Sequence, residues 1–167
     1  MKAMPDSALQ DQQAGQYLTF FLGQEIFAVG ILAIKEIIQF GQITNVPLMP
    51  EYIRGVINLR GSVVPVIDLS ARLGRGVGGV GKRSCIVVVE ISFDGEAIDI
   101  GVMVDSVSAV IDIAQEHIEA APAFGASVRA DFIEGIGKVN EQFIIILHVG
   151  HTFSMAELAG MESGAMM

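Results

Sequence analysis

The residues whose types and spacing could support chemistry crowd into one glycine-rich run, GRGVGGVG at 74–81. Gly74, Gly76 and Gly79 satisfy the G-x-G-x-x-G spacing of a dinucleotide site. That chemistry needs the loop between a strand and a helix, so that the helix N-terminus meets the pyrophosphate. Here the run leads into Ser84-Cys85-Ile86-Val87-Val88-Val89, which is strand-like. The same stretch approaches a phosphate-binding loop through Gly76, Gly81 and Lys82. The next position should offer a hydroxyl to magnesium, and it is Arg83. On context the run reads as a flexible linker. A nucleotide-dependent enzyme stays open as the alternative, and it predicts ATP binding that disappears in Lys82→Ala.

Elsewhere the chemical signals are thin. His148 and His151, three apart, could begin a metal site, but structural zinc takes four ligands and Cys85 and His117 are distant in sequence. Cys85 opens an apolar run and reads as a packed side chain. No Ser-His-acid set or carboxylate pair stands out, so no catalytic residue, metal or cofactor is expected. Asp68 and Asp105 each follow an apolar run, where a carboxylate accepts from nearby backbone N–H groups. Glu36, Arg54 and Arg60 sit in apolar surroundings. They read either as surface charges or as anchors for a partner, since Arg is enriched among interface hot spots.

The elements that must position these residues are short strands. The chain has 167 residues, 51% hydrophobic and 17% charged, with a mean hydropathy of +0.55. No apolar run approaches the roughly 20 residues of a membrane-spanning helix. Runs rich in Val and Ile are punctuated by Gly, Pro and Asp-Gly, the pattern of a barrel or sandwich. Hairpins are expected at Gly23-Gln24, Arg60-Gly61, Asp94-Gly95 and Asn140-Glu141. A helical turn capped by Ser70 is expected to run through Leu73 and end at Gly74.

The pattern repeats. Tyr52-Ile53-Arg54-Gly55-Val56-Ile57 resembles Phe132-Ile133-Glu134-Gly135-Ile136-Gly137 at an offset of 80. At that offset Val64 meets Ile144, Val66 meets Ile146, Ile67 meets Leu147 and Asp68 meets His148. Gly23-Gln24-Glu25-Ile26 resembles Gly95-Glu96-Ala97-Ile98 at an offset of 72. Two strand-rich copies follow, expected at roughly 16–73 and 82–156, with exchange of a strand or helix between them left open. Residues 1–15 read as a disordered lead-in and 157–167 as a loose tail. Ile86-Val87-Val88-Val89 and Ile144-Ile145-Ile146-Leu147 do not alternate, so both faces of these strands need cover. Two small barrels packed together would supply it, one face filling each barrel and the other the seam between them.

The formal charge is −9, which argues against nucleic acid and anionic lipid as partners. Eight basic and six acidic residues fall in 1–84, against two and thirteen in 85–167. The acidic half reads as a solvated face or as a docking face for a basic partner. MKAMPDSALQDQQAG has no apolar signal-peptide core, and the lone cysteine forbids an intrachain disulfide. A cytoplasmic protein is expected.

YLTFFLGQEIFAVGILAIKEII, ITNVP and YIRGVINLRGSVVPVIDL resemble the CheW family of bacterial chemotaxis coupling proteins. IGVMVDSVSAV and FIEGIGKV continue the likeness, which covers about residues 16–150. The resemblance implies an all-β fold of two SH3-like five-stranded β-barrels around a shared hydrophobic core, with little helix. It implies a non-enzymatic adaptor that links methyl-accepting chemoreceptors to the regulatory domain of the histidine kinase CheA. It also implies a receptor helix lying between the barrels, against Ile34, Glu36, Gly55, Arg60, Val107 and Val110. Kinase contacts are guessed at Phe40, Ile43 and Val46. The likeness weakens at LHVGHTF, where His148 stands in for an acidic residue.

Overall fold

A computed structural model describes residues 15–76, 78–120 and 130–154. The expected lead-in and tail lie almost wholly outside these residues. Among the described residues eleven strands run in chain order: β1 Gln16–Leu22, β2 Glu25–Gly30, β3 Ile34–Gln39, β4 Ile53–Leu59, β5 Ser62–Asp68, β6 Cys85–Phe93, β7 Glu96–Val104, β8 Ser106–Asp112, β9 Ile118–Glu119, β10 Ile133–Val139 and β11 Gln142–Leu147. The α-helices among the described residues are single turns, α1 Leu69–Arg72 and α2 Val149–Thr152. The four expected hairpins form, β1–β2, β4–β5, β6–β7 and β10–β11. Arg60, Gly61, Asp94, Gly95, Asn140 and Glu141 all take positive φ, as tight two-residue turns require.

The strands form two sheets, ordered β8-β1-β2-β11-β10-β9 and β3-β6-β7-β5-β4. The repeat pairs β1 with β6, β2 with β7, β3 with β8, β4 with β10 and β5 with β11. Read that way, the two strand orders are the same, apart from the two-residue β9. The expected cut at 74–81 therefore does not separate the sheets. Each sheet takes its first hairpin from one copy and its other three main strands from the other copy. Parallel pairs make the joins, Ile145–Phe27 and Ile146–Ala28 in one sheet, Val66–Gly101 and Ile67–Val102 in the other. The exchange buries the apolar edge that each copy would otherwise expose.

The core is divided as the unbroken apolar runs require. Val87 and Val89 join a central cluster with Leu18, Phe20, Phe27, Ile67, Val102 and Leu147, drawn from both sheets. Their neighbours Ile86 and Val88 point the other way, into a cluster with Val66 and Met103. In the opposite sheet Ile144 and Ile146 pack with Tyr17, Ala28 and Ile113, while Ile145 packs on the central cluster. The fold is all-β, with two SH3-like subdomains around a shared core and little helix.

The helical turn comes where expected but with a different cap. Asp68, not Ser70, is the N-cap of α1, accepting from the backbone N–H of Ala71 at 3.3 Å. In α2 the repeat partner His148 does the same, its Nδ1 accepting from His151 N–H at 3.0 Å. The two turns meet through Arg72. Its Nε donates to the Thr152 carbonyl at 2.7 Å, and its guanidinium lies 4.9 Å from the Tyr52 ring centre and 4.8 Å from that of Phe132. Tyr52 and Phe132 are themselves repeat partners, as are Arg72 and Thr152. Leu73 and Phe153, again partners, close the ends of both turns in the central core.

Candidate partner-binding site

β3 and β8 are equivalent edge strands, and each carries a bulge at the same place. Against β6, Ile34 pairs with Val89 and Glu36 with Val88, so Lys35 is left out of register. Against β1, Ala109 pairs with Thr19 and Val107 with Phe20, so Ser108 is left out. Bulges re-aim side chains and twist an edge away from further pairing. Ile34 and Val107 thus hold the same structural position, and both pack, partly buried, on the central core. Ile37 and Val110 lie farther along these edges and are exposed.

Glu36 and Arg60 come together from 24 residues apart. Arg60 Nη1 donates to Glu36 Oε2 at 2.8 Å, and Nη2 also reaches that oxygen. β3 and β4 are the two edges of one sheet, so this pair joins the rim of its barrel. Arg60 sits at the β4–β5 tip, where Asn58 Oδ1 accepts from Gly61 N–H at 2.8 Å and steadies the turn. The Arg60 side chain is 68% exposed and that of Glu36 29% exposed, which leaves the guanidinium available to a partner. Lys35 Nζ points instead to Asp99 at 3.2 Å and Glu90 at 3.7 Å.

Three of the expected contact residues are buried or partly buried. Gly55 offers no surface: it is buried, and a Cβ there would lie 2.3 Å from the Thr44 carbonyl oxygen and 2.5 Å from Ile43 Cγ2. Its glycine lets the segment after β3 cross β4 and form the Thr44–Val56 bridge. Gly135 plays the same part for β9. Phe40 and Ile43 are partly buried against the cluster of Val66, Ile86, Val88 and Met103, and so plug one barrel rather than project from it. Val46 is exposed, and Leu48, which the sequence reading passed over, is fully exposed with φ 62. Leu32, Val63 and Phe143 are also exposed and were missed. The alternation of IKEIIQ in β3 is the one sequence signal that would have turned Ile37 outward.

The residues first considered for chemistry have other work. The glycine run is pinned rather than free. Gly78 N–H donates to Asp68 Oδ2 at 2.8 Å, Arg75 pairs with Glu25, and the Arg75 guanidinium lies 5.2 Å from the Phe27 ring centre. The run turns through Gly81 and Ser84 into β6, so a strand stands where a phosphate loop has its helix. Asp105 accepts from Gly23 N–H at 2.7 Å, as expected of a carboxylate at a strand end. His148 and His151 stack at 4.0 Å between ring centres, and His151 Nδ1 lies 3.0 Å from the Asp131 carbonyl. Among the described residues, no three His, Cys, Asp or Glu side chains group as metal ligands. Cys85 packs partly buried on the central core.

The CheW-like domain family matches residues 16–157. The chain belongs to that family. The CheW chemotaxis protein of Klebsiella aerogenes is 33% identical over 95% of this chain and 94% of its own length. The CheW of Helicobacter pylori is 34% identical over 83% of this chain and 81% of its own. The crystal structure of the scaffolding protein TtCheW from Thermoanaerobacter tengcongensis superposes with a TM-score of 0.75, at 37% identity, covering 84% of this chain and 88% of the other. The CheW-like match thus takes in β1 to α2, and with them both bulged edges and the Glu36–Arg60 pair.

Proposed function

We propose that this chain is a non-enzymatic coupling adaptor that links methyl-accepting chemoreceptors to the regulatory domain of the histidine kinase CheA. The observation that carries the reading is the CheW-like match across 16–157. The unit doing the coupling is residues 16–156, and it works in the cytoplasm, held at receptor arrays through its partners. Receptor recognition is helix-in-groove: Ile34 and Val107 offer apolar shoulders on the shared core, Val110 extends the apolar stripe, and Glu36 with Arg60 fixes the register. Gly55 contributes by placing Ile43 and Thr44 over β4. The kinase contact is built on the segment carrying Phe40, Ile43 and Val46, where Val46 is the exposed member.

The Glu36–Arg60 pair supports this reading on physical grounds. An exposed ion pair adds little to stability, about 0–1 kcal/mol. Paired in advance, both side chains lose less freedom when a partner docks. The test is co-sedimentation of purified kinase with receptor-bearing membranes. Kinase is expected in the pellet only when the chain is added. Pelleting without it, or calorimetric ATP binding abolished by Lys82→Ala, would overturn the adaptor reading.

A further inference from the structure

None of the nine expected contact positions lines a cleft of about 300 Å³ formed by β1, the 3-10 turn before β3, β10 and the start of α2. Its polar wall is Tyr17, Glu134 and His148, and its apolar wall includes Ile31, Leu32 and Val149. Tyr17 is only 4% exposed, yet its hydroxyl makes no hydrogen bond among the described residues. Burial, and then the nearby Glu134 carboxylate, raise its pKa above the ordinary 10.0. Glu134 forms no ion pair among the described residues. His148 has committed Nδ1 to the cap of α2.

The other copy shows how the fold fills the equivalent place. Arg54 and Asp68 occupy the positions of Glu134 and His148, with Arg54 Nη1 3.5 Å from Asp68 Oδ2 and the Asp68 side chain 1% exposed. There the chain supplies its own guanidinium to a carboxylate. In the second copy the carboxylate is present, the buried Tyr17 lines the same cleft, and among the described residues no guanidinium lines it. Leu32, 63% exposed, stands at the rim where an aliphatic stem would lie.

We propose that this cleft receives the guanidinium of an arginine side chain on a protein partner. Glu134 accepts two of its N–H groups and the Tyr17 oxygen accepts another, while Leu32 and Val149 cover the methylene stem. A forked donor suits two separate acceptors better than a point charge does. The protein source follows from Leu32, whose exposed side chain only an extended ligand would bury. This contact lies outside the receptor and kinase positions proposed above.

The chain holds two tyrosines and no tryptophan, so Tyr52→Phe leaves Tyr17 as its own reporter. N-acetyl-arginine amide, titrated into that full-length variant, should change Tyr17 emission saturably. N-acetyl-norleucine amide should not. Glu134→Gln should weaken the arginine response at least tenfold, and Glu116→Gln, outside the cleft, should leave it unchanged. Absence of a saturable response, an equal response to the norleucine compound, or equal weakening by the two glutamines would each overturn the proposal. The guanidinium source is tested with a peptide carrying Leu beside Arg. If that peptide binds no tighter than the amide, the cleft takes a small cation and not a protein side chain.

Discussion

Arg60 can change a great deal of binding while changing little of the fold. Its guanidinium stands on a solvent-facing turn and meets one carboxylate, Glu36. In Arg60→Glu two carboxylates face each other at an exposed rim, and urea unfolding should move by no more than about 1 kcal/mol. Binding of a receptor fragment should fall by about 2 kcal/mol or more, roughly thirtyfold, because an anchor is lost. Equal losses in both measurements would mean that the pair is structural. Tyr17 gives a different residue-level expectation. Its hydroxyl is held neutral by burial and by Glu134, so its folded pKa lies above the unfolded value. Its contribution is then complete below about pH 10 and is lost as pH rises through the folded pKa. Urea midpoints at pH 9 and 11 should therefore differ more in the wild type than in Tyr17→Phe.

Among the elements, the turns after β5 and β11 matter more than their four residues suggest. Arg72 spans them, stacked between two aromatic rings and bonded to Thr152. Arg72→Met keeps the bulk and loses the charge-assisted bond and the cation–π contacts, and should cost about 2–4 kcal/mol in chemical denaturation. Gly55 and Gly61 make a matched comparison, since both have positive φ. Ala at 61 meets open space and should cost about 1 kcal/mol. Ala at 55 drives its Cβ into the Thr44 carbonyl and should cost about 3 kcal/mol or more. Much of this level was legible beforehand. The hairpins follow from turn residues, and the two-sided burial of Ile86–Val89 and Ile144–Leu147 follows from their lack of alternation. The caps were half legible: Asp68 reads as a backbone acceptor, but only geometry shows that its target is α1. Arg72 was illegible, because its ring partners lie 20 residues before it and 60 after. The exposed Val63 and Phe143 were hidden because a strand's apolar content does not say which residue overhangs its barrel.

At the scale of the molecule, the repeat predicts two alike halves and leaves open whether they trade strands. Pairwise likeness at offsets of 72 and 80 is the same whether each copy closes on itself or borrows from the other. The structure has each sheet drawing on both halves, so neither half holds a complete sheet. Residues 1–76 or 77–167 produced alone should remain largely unfolded or aggregate, exposing apolar strand edges. Refolded together, they should recover a β-sheet spectrum and a cooperative melt. Independent folding of either half would show that the exchange is dispensable. The exchange also gives the proposed function a mechanical basis. Ile34 and Val107, the shoulders proposed for the receptor, sit on one shared core, so neither half can shift without the other. An adaptor must hold two partners at once, and the most direct measurement is sedimentation velocity on the chain mixed with the CheA regulatory domain and a receptor hairpin fragment. The account predicts one species containing all three. Displacement of one partner by the other, leaving only binary complexes, would contradict it.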